Sequence, residues 1–248
     1  MPIDKSSPDI QLLDEIQQFL QSAVHDLRAA QRRTAISAEL LAQSASDRER
    51  SELTAQMLQG LSKTEELLTA VSSYAIALTP GNYIIDVFPL NRAVRFALAN
   101  LDCKIRETGA IVTVADLPEI SGDRDRLAEL FEHLIGNSLK FRGSDAPVID
   151  IGVTSAPEGW LFSVKDNGIG IPLKYQDRLF IPFRRLQGAD IPGAGLGLAI
   201  SRKIVEAHGG RIWIETSEEP GVTFSFILPV ADGDLRARLF LGENCDDT

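Results

Sequence analysis

The sequence predicts an α+β protein, an N-terminal antiparallel helical hairpin followed by an α/β domain. Three observations carry this. From Ile10 to Leu78 the chain has one glycine, Gly60, and no proline, while Pro8 and Pro80 bracket the stretch, the punctuation of long helix. Within it, apolar residues recur at seven-residue steps. After Thr79-Pro80-Gly81 the texture changes, and helical blocks alternate with short runs rich in β-branched and aromatic residues.

In the first arm Leu13, Leu20, Leu27 and Leu41 share one heptad position, with Ile16, Ala23 and Ala30 at the intermediate apolar one. The segment SASDRE breaks the pattern and offers Ser46 with Glu49 three residues on, a capping box that starts a second helix. The new stripe of Leu53, Met57, Leu61, Leu67, Val71, Tyr74 and Leu78 makes that helix amphipathic. A two-helix hairpin cannot bury its stripes alone, so it is expected to be half of a dimeric four-helix bundle, spanning residues 1–80. The remainder, 81–230, carries helical blocks near 90–106 and 123–142 and the strand-like runs VIDIGV, WLFSV, RIWIE and VTFSFIL. Hairpin-like turns at Pro157-Glu158-Gly159 and Glu219-Pro220-Gly221 favour a mixed or antiparallel sheet with helices on one face. An acidic tail, 231–248, is expected to be loosely ordered.

Composition narrows the function classes. The 248 residues are 44% hydrophobic and 24% charged, which is ample for a core. A net charge of -10 argues against a nucleic-acid surface, which needs clustered cations. No apolar run approaches the roughly 20 residues that span a bilayer, and the N-terminus lacks the blocks of a signal peptide, so the expected location is cytoplasmic. Any sensor domain lies outside this chain. Cys103 and Cys245 match no metal spacing and read as buried or idle thiols.

Three stretches carry chemistry. In DRDRLAELFEHLIGNSLKFRG, His133, Asn137 and Lys140 fall at spacings of four and three on one helix face, opposite Leu127, Leu130, Phe131, Leu134 and Ile135. An amide oxygen beside an ammonium suits a metal-bound polyphosphate, because Asn can ligate Mg2+ while Lys offsets phosphate charge. In VKDNGIGIP a strand ends at Asp166 and runs into Gly168 and Gly170. The glycines let backbone approach a ligand, and a buried carboxylate there can accept a hydrogen bond from an exocyclic amine such as that of adenine. In LFIPFRRLQGADIPGAGLGLAI, Gly193, Gly195 and Gly197 precede a helix whose free N–H groups make an anion site, with Arg184 and Arg185 upstream in a segment that can close as a lid. Each stretch alone is unspecific. Their order is not.

That ordered set resembles the ATP-binding domain of sensor histidine kinases, whose N, G1, F and G2 boxes correspond here to HLIGNSLKF, DNGIGIP, LFIPFRRL and GAGLGLAI. The resemblance covers about 90–229 and implies an α/β sandwich of the histidine kinase ATPase (Bergerat) type with a flexible lid. It implies that Asn137 ligates Mg2+, Lys140 contacts phosphate, Asp166 reads adenine, and the G2 glycines frame the triphosphate. His133 departs from the pattern, since many relatives carry Asn there. The gyrase and chaperone branch of the superfamily uses Glu at that place to activate water, and its absence favours phosphotransfer over hydrolysis.

On the hairpin, His25-Asp26-Leu27-Arg28 resembles the family's H box, and the heptad frame puts His25 on the outer face. Asp26 can hold the proton on one imidazole nitrogen and make the other more nucleophilic. The resemblance thus implies a homodimeric ATP:protein-histidine phosphotransferase of a two-component system, in which His25 takes phosphoryl from ATP and passes it to an aspartate of a response regulator receiver domain. Ala29 and Ala30 stand where many relatives have Thr or Asn and then Pro. That removes a group able to orient water for phosphatase activity, and predicts a straighter first helix. The rivals are a phosphotransfer scaffold with a degenerate ATP domain, against which the intact Asn, Asp and Gly sets speak, and an ATPase that forms no phosphohistidine.

Overall fold

The computed structural model describes residues 8–44, 46–79, 83–183, 195–215 and 220–230. Helices α1 (Pro8–Gln43) and α2 (Asp47–Leu78) form the expected hairpin, and α1 runs unbroken for 36 residues, as the lack of an internal proline requires. The turn between them is built by local hydrogen bonds. Ser46 caps α2 by accepting the Glu49 N–H at 3.2 Å, while the Glu49 carboxylate takes the Ser44 hydroxyl at 2.8 Å instead of reaching back to the Ser46 backbone.

The buried seam of α1 carries small residues, Ala23, Ala30 and Ser37 at seven-residue steps, continued by Ser44 just past its end, with Phe19 above them. Facing them, Leu53, Leu67, Tyr74 and Ala77 are the buried residues of α2, and a side chain at Gly60 would run into Thr34. The leucine row reads differently. Leu20 is 52% exposed and Leu61 of the second stripe is 55% exposed, whereas Leu27 and Leu41 are half-buried. The hairpin closes on its small-residue row and leaves large apolar side chains on its outside.

The second part comprises β1 (Asp86–Pro89), α3 (Asn91–Thr108), β2 (Ile111–Val114), β3 (Glu119–Gly122), α4 (Arg124–Lys140), β4 (Val148–Ala156), β5 (Gly159–Asp166), a 3-10 turn (Leu173–Arg178), α5 (Gly197–Ala207), β6 (Arg211–Glu215) and β7 (Thr223–Leu228). Five strands form one mixed sheet in the order β2-β4-β5-β7-β6, in which only the β2–β4 pair is parallel. β1 and β3 pair separately. Strands β1, β2 and β3 are four residues each, too short for alternation to announce them.

The apolar side of α4 lies in the core as read from sequence, with Leu127, Leu130, Phe131, Leu134 and Ile135 at 0% exposure. Phe131 meets Phe226 edge-on at 5.8 Å, and Phe226 stacks on Phe162 at 5.1 Å, so helix and sheet interlock through aromatic rings. The hairpin joins the same core. Phe19 packs on Tyr74 at 4.5 Å and on Phe183 at 5.3 Å. Beside them Ser73 of α2 donates to Glu129 of α4, whose other oxygen takes Arg126 at 2.7 Å.

Cys103 is exposed, which corrects the buried reading: it stands on the outward side of α3. Cys245 and the tail lie outside the described residues. No described helix is long and apolar enough to cross a membrane.

Candidate functional site: one helix between two glycine segments

Asp166, the last residue of β5, is 7% exposed and fully engaged on one side. Its Oδ1 accepts the Gly168 N–H at 2.9 Å and the Val222 N–H at 3.1 Å, and its Oδ2 accepts the Ser138 hydroxyl at 2.7 Å. A carboxylate offers about four acceptor positions, so three are filled and one on Oδ2 is left for a ligand donor. Gly168 is required here: a Cβ would lie 2.6 Å from the Phe141 carbonyl oxygen. Gly221, at φ +118°, backs the same turn, and any Cβ there would collide with the Asp166 carbonyl. Gly170, at φ +75°, continues the turn beside it.

α4 holds this turn and the second glycine segment together. Ser138 ties α4 to Asp166. One turn earlier His133 lies under Gly197, where a Cβ would sit 3.3 Å from its Nδ1. Between and beyond these contacts Asn137 and Lys140 are half-buried on the same face. The side chain of Asn137 has no hydrogen-bond partner among the described residues. Lys140 places its Nζ 4.9 Å over the Phe141 ring. α5 starts at Gly197 with no side-chain cap, leaving its first N–H groups open. Asn137 and Lys140 thus lie on α4, and the segments that carry Asp166, Gly168 and Gly197 pack against it or its end. Gly195 lies at the same place, its carbonyl accepting the Phe183 N–H at 2.9 Å. Arg184, Arg185 and Gly193 fall outside the described residues.

Among the described residues, no group of three or more His, Cys, Asp or Glu side chains could hold a metal ion alone. A magnesium arriving with phosphate ligands fits a single amide oxygen better than a protein cage.

The polar face of α4 continues toward its N-terminus. Burial raises the Glu129 carboxyl, but the nearby His133 imidazole and the hydrogen bonds from Ser73 and Arg126 outweigh it and bring the group down to about 2. The imidazole contact is an ion-pair distance, 3.7 Å, and too long for a hydrogen bond. The His133 Nε2 is accordingly buried with no hydrogen-bond partner. At the start of α4, Asp123 caps the helix, and its own N–H donates at 2.9 Å to His208 Nε2. His208 Nδ1 is 2.7 Å from the Ile204 carbonyl, which fixes the proton on Nδ1, and burial pushes this imidazole below its usual range.

His25 stands apart, on α1. Its side chain is 81% exposed and its Nδ1 lies 3.1 Å from Asp26 Oδ1, so Nε2 is the nitrogen turned to solvent. Sequence reasoning missed Ser138, Gly221 and the Ser73–Glu129–Arg126 contact. The first is a small polar residue on a helix face read as apolar. The others depend on distant partners, Gly221 on Asp166 and Ser73 on Glu129 56 residues away, which no local pattern reveals.

Residues 122–232 match the family described as histidine kinase-, DNA gyrase B- and HSP90-like ATPases. Cyanobacterial phytochrome A of Nostoc is 37% identical over 228 residues, covering 90% of this chain and 30% of that protein. The chain is built as a sensor histidine kinase transmitter module. The adaptive-response sensory kinase SasA of Prochlorococcus marinus is 38% identical over 121 residues, 48% of this transmitter and 32% of that kinase. In fold, the transmitter is similar to histidine kinase ThkA solved with the response regulator TrrA, at TM-score 0.74 and 22% identity over 91% of this chain and 65% of that one. It is similar also to full-length ShkA solved with AMPPNP, at TM-score 0.59 and 24% identity over 86% of this chain and 45% of that one. The transmitter spans about 30% of the length of the curated phytochromes it matches.

Proposed function

We propose that this transmitter is an autophosphorylating protein-histidine kinase that binds Mg-ATP between α4, the Asp166 turn and the start of α5, phosphorylates His25, and passes the phosphoryl group to an aspartate of a receiver domain. The observation that carries the reading is the unfilled acceptor position on Asp166 Oδ2, beside an uncommitted Asn137 and glycines at which a Cβ would meet protein atoms.

In this reading Asp166 accepts the adenine amine, and the Ser138 hydroxyl and two backbone N–H groups hold its carboxylate in place for that. Asn137 contributes an amide oxygen toward the metal and Lys140 a cation toward phosphate. Gly195, Gly197 and the open N–H groups of α5 take the polyphosphate, and Gly193, Arg184 and Arg185 complete the lid. Magnesium, when bound, offsets the charge that builds on the transferring phosphoryl group. On α1, Asp26 keeps the His25 proton on Nδ1, so that Nε2 presents a lone pair to phosphorus. The bundle would dimerise through the large apolar residues left outside, Leu20, Leu58, Leu61 and Leu68, each 47% exposed or more.

The test is labelling of the chain by γ-labelled Mg-ATP. Acid-labile, base-stable label that His25→Gln abolishes supports the reading. ATP turnover without that label would place the protein among the ATPases instead.

A further inference from the structure

Glu129, His133 and Asn137 follow one another at steps of four along α4, so their side chains issue from one face of the helix. The Glu129 carboxylate is held at both oxygens. Its Oε2 takes Arg126 of the same helix at 2.7 Å, and its Oε1 takes the hydroxyl of Ser73, which belongs to the hairpin. Arg126 also steadies Ser73, with its Nη1 3.5 Å from the hydroxyl oxygen. The same Oε1 lies 3.7 Å from His133 Nε2, about 0.8 Å beyond an ordinary hydrogen bond of about 2.9 Å. Nε2 is buried and has no hydrogen-bond partner among the described residues, and an imidazole facing a carboxylate keeps its proton on the near nitrogen. A buried donor is therefore held just short of an acceptor that Ser73 occupies. On its other side the ring supports Gly197, where a Cβ would stand 3.3 Å from Nδ1 and 3.4 Å from Cγ. The imidazole is thus wedged between Glu129 and the first residue of α5.

We propose that His133 is a positioning residue of the nucleotide site, and that the hairpin controls it through Glu129 Oε1, the oxygen for which Ser73 and His133 compete. While Ser73 holds that oxygen, the imidazole stays against Gly197 and keeps the start of α5 away from α4. When α2 shifts and Ser73 leaves, the carboxylate turns about its bond to Arg126, accepts the Nε2–H and draws the ring toward the N-terminus of α4. Gly195 and Gly197 then settle nearer Asn137, closing the space in which open helix N–H groups and an amide oxygen would share a metal-bound polyphosphate. The Ser73 contact and nucleotide affinity are thereby coupled with opposite sign, and by linkage the nucleotide weakens that contact by the same factor. This inference rests on the nucleotide-binding reading, though not on phosphorylation of His25.

Two measurements on the full chain separate the competition from nucleotide binding. In the nucleotide-free protein, nitrogen NMR of the His133 ring is expected to report a new Nε2–H hydrogen bond in Ser73→Ala and none in Ser73→Thr, which keeps the hydroxyl. Titration calorimetry with a non-hydrolysable ATP analogue and magnesium is expected to show affinity raised about fivefold in Ser73→Ala and within about twofold of wild type in Ser73→Thr. The gain should vanish in a His133→Phe background, which keeps a ring under Gly197 but cannot bond the carboxylate; His133→Ala serves if the larger ring unfolds the protein. Equal affinity of wild type and Ser73→Ala overturns the inference, as does a gain that persists without the imidazole. Ring resonances of His133 that do not respond to Ser73→Ala overturn it too. If no form of the protein binds the analogue, the nucleotide reading falls and the coupling falls with it, whereas binding without the Ser73 effect leaves that reading standing and removes the coupling alone.

Discussion

Replacing Asp166 by asparagine changes one oxygen into an amide and leaves the shape of the side chain intact. In the folded protein Oδ1 would keep the N–H groups of Gly168 and Val222, at 2.9 and 3.1 Å. The new amide would face Ser138, whose hydroxyl can turn its hydrogen to the Leu134 carbonyl at 3.3 Å and accept instead. The fold therefore loses about 1 kcal/mol, the net worth of one ordinary hydrogen bond. A nucleotide loses more. The acceptor for its exocyclic amine becomes a donor, which removes a bond to a charged group of about 1.5–3 kcal/mol and leaves opposed donors costing about 1–3 kcal/mol. Together these weaken binding on the order of 10²- to 10⁴-fold. Titration calorimetry with a non-hydrolysable ATP analogue, alongside a melting curve, measures both effects. A variant that melts near the wild type yet binds within about threefold of it would refute the assignment of Asp166 to the adenine.

Three other outcomes are expected. Glu129 titrates at about 2, below its ordinary value of 4.5, so its stabilisation is present above about 4.5 and is lost as pH falls toward 2. The shift is worth on the order of 3 kcal/mol, so Glu129→Gln should lower the melting temperature at pH 7 and remove part of its decline in that acid window. An unaltered acid profile would contradict the Ser73–Glu129–Arg126 contact. Burial pushes the His208 imidazole, whose Nε2 accepts the Asp123 N–H, below its ordinary range, so its folded pKa lies below its unfolded one. Stability should then fall as pH drops from about 6.5 through the folded value, with Asp123 losing its N–H partner, as NMR titration of His208 and melting curves would show. Gly221→Ala should destabilise the protein severely, because it combines φ +118° with a Cβ pressed into the Asp166 carbonyl; near-wild-type melting would mean that the turn can move.

Much of this was legible in the sequence because it depends on local pattern. The hairpin, the cap at Ser46 and the apolar side of α4 follow from periodicity and capping chemistry, and the likeness to histidine kinases follows from the order of short segments. What stayed hidden depends on distant partners. The leucine row of α1 looked like the internal seam, yet Leu20 is half exposed, because the smaller Ala23, Ala30, Ser37 and Ser44 let α1 and α2 approach more closely. Strands β1–β3 are too short to show alternation. Ser138 hid on an apolar helix face, since nothing local says that a buried hydroxyl on α4 will meet a carboxylate at the end of β5. The packing of Phe19 on Tyr74 and on Phe183 joins three segments that sequence treats as independent.

The claim on which the rest turns is that an imidazole on α1 receives phosphate from a nucleotide held beside α4. The most direct measurement is site mapping of phosphate by mass spectrometry at neutral pH after incubation with Mg-ATP, on the wild type and on Asp166→Asn. The account predicts phosphohistidine at His25 in the wild type and little or none in the variant. Phosphate on another residue, or equal labelling of both proteins, would contradict it.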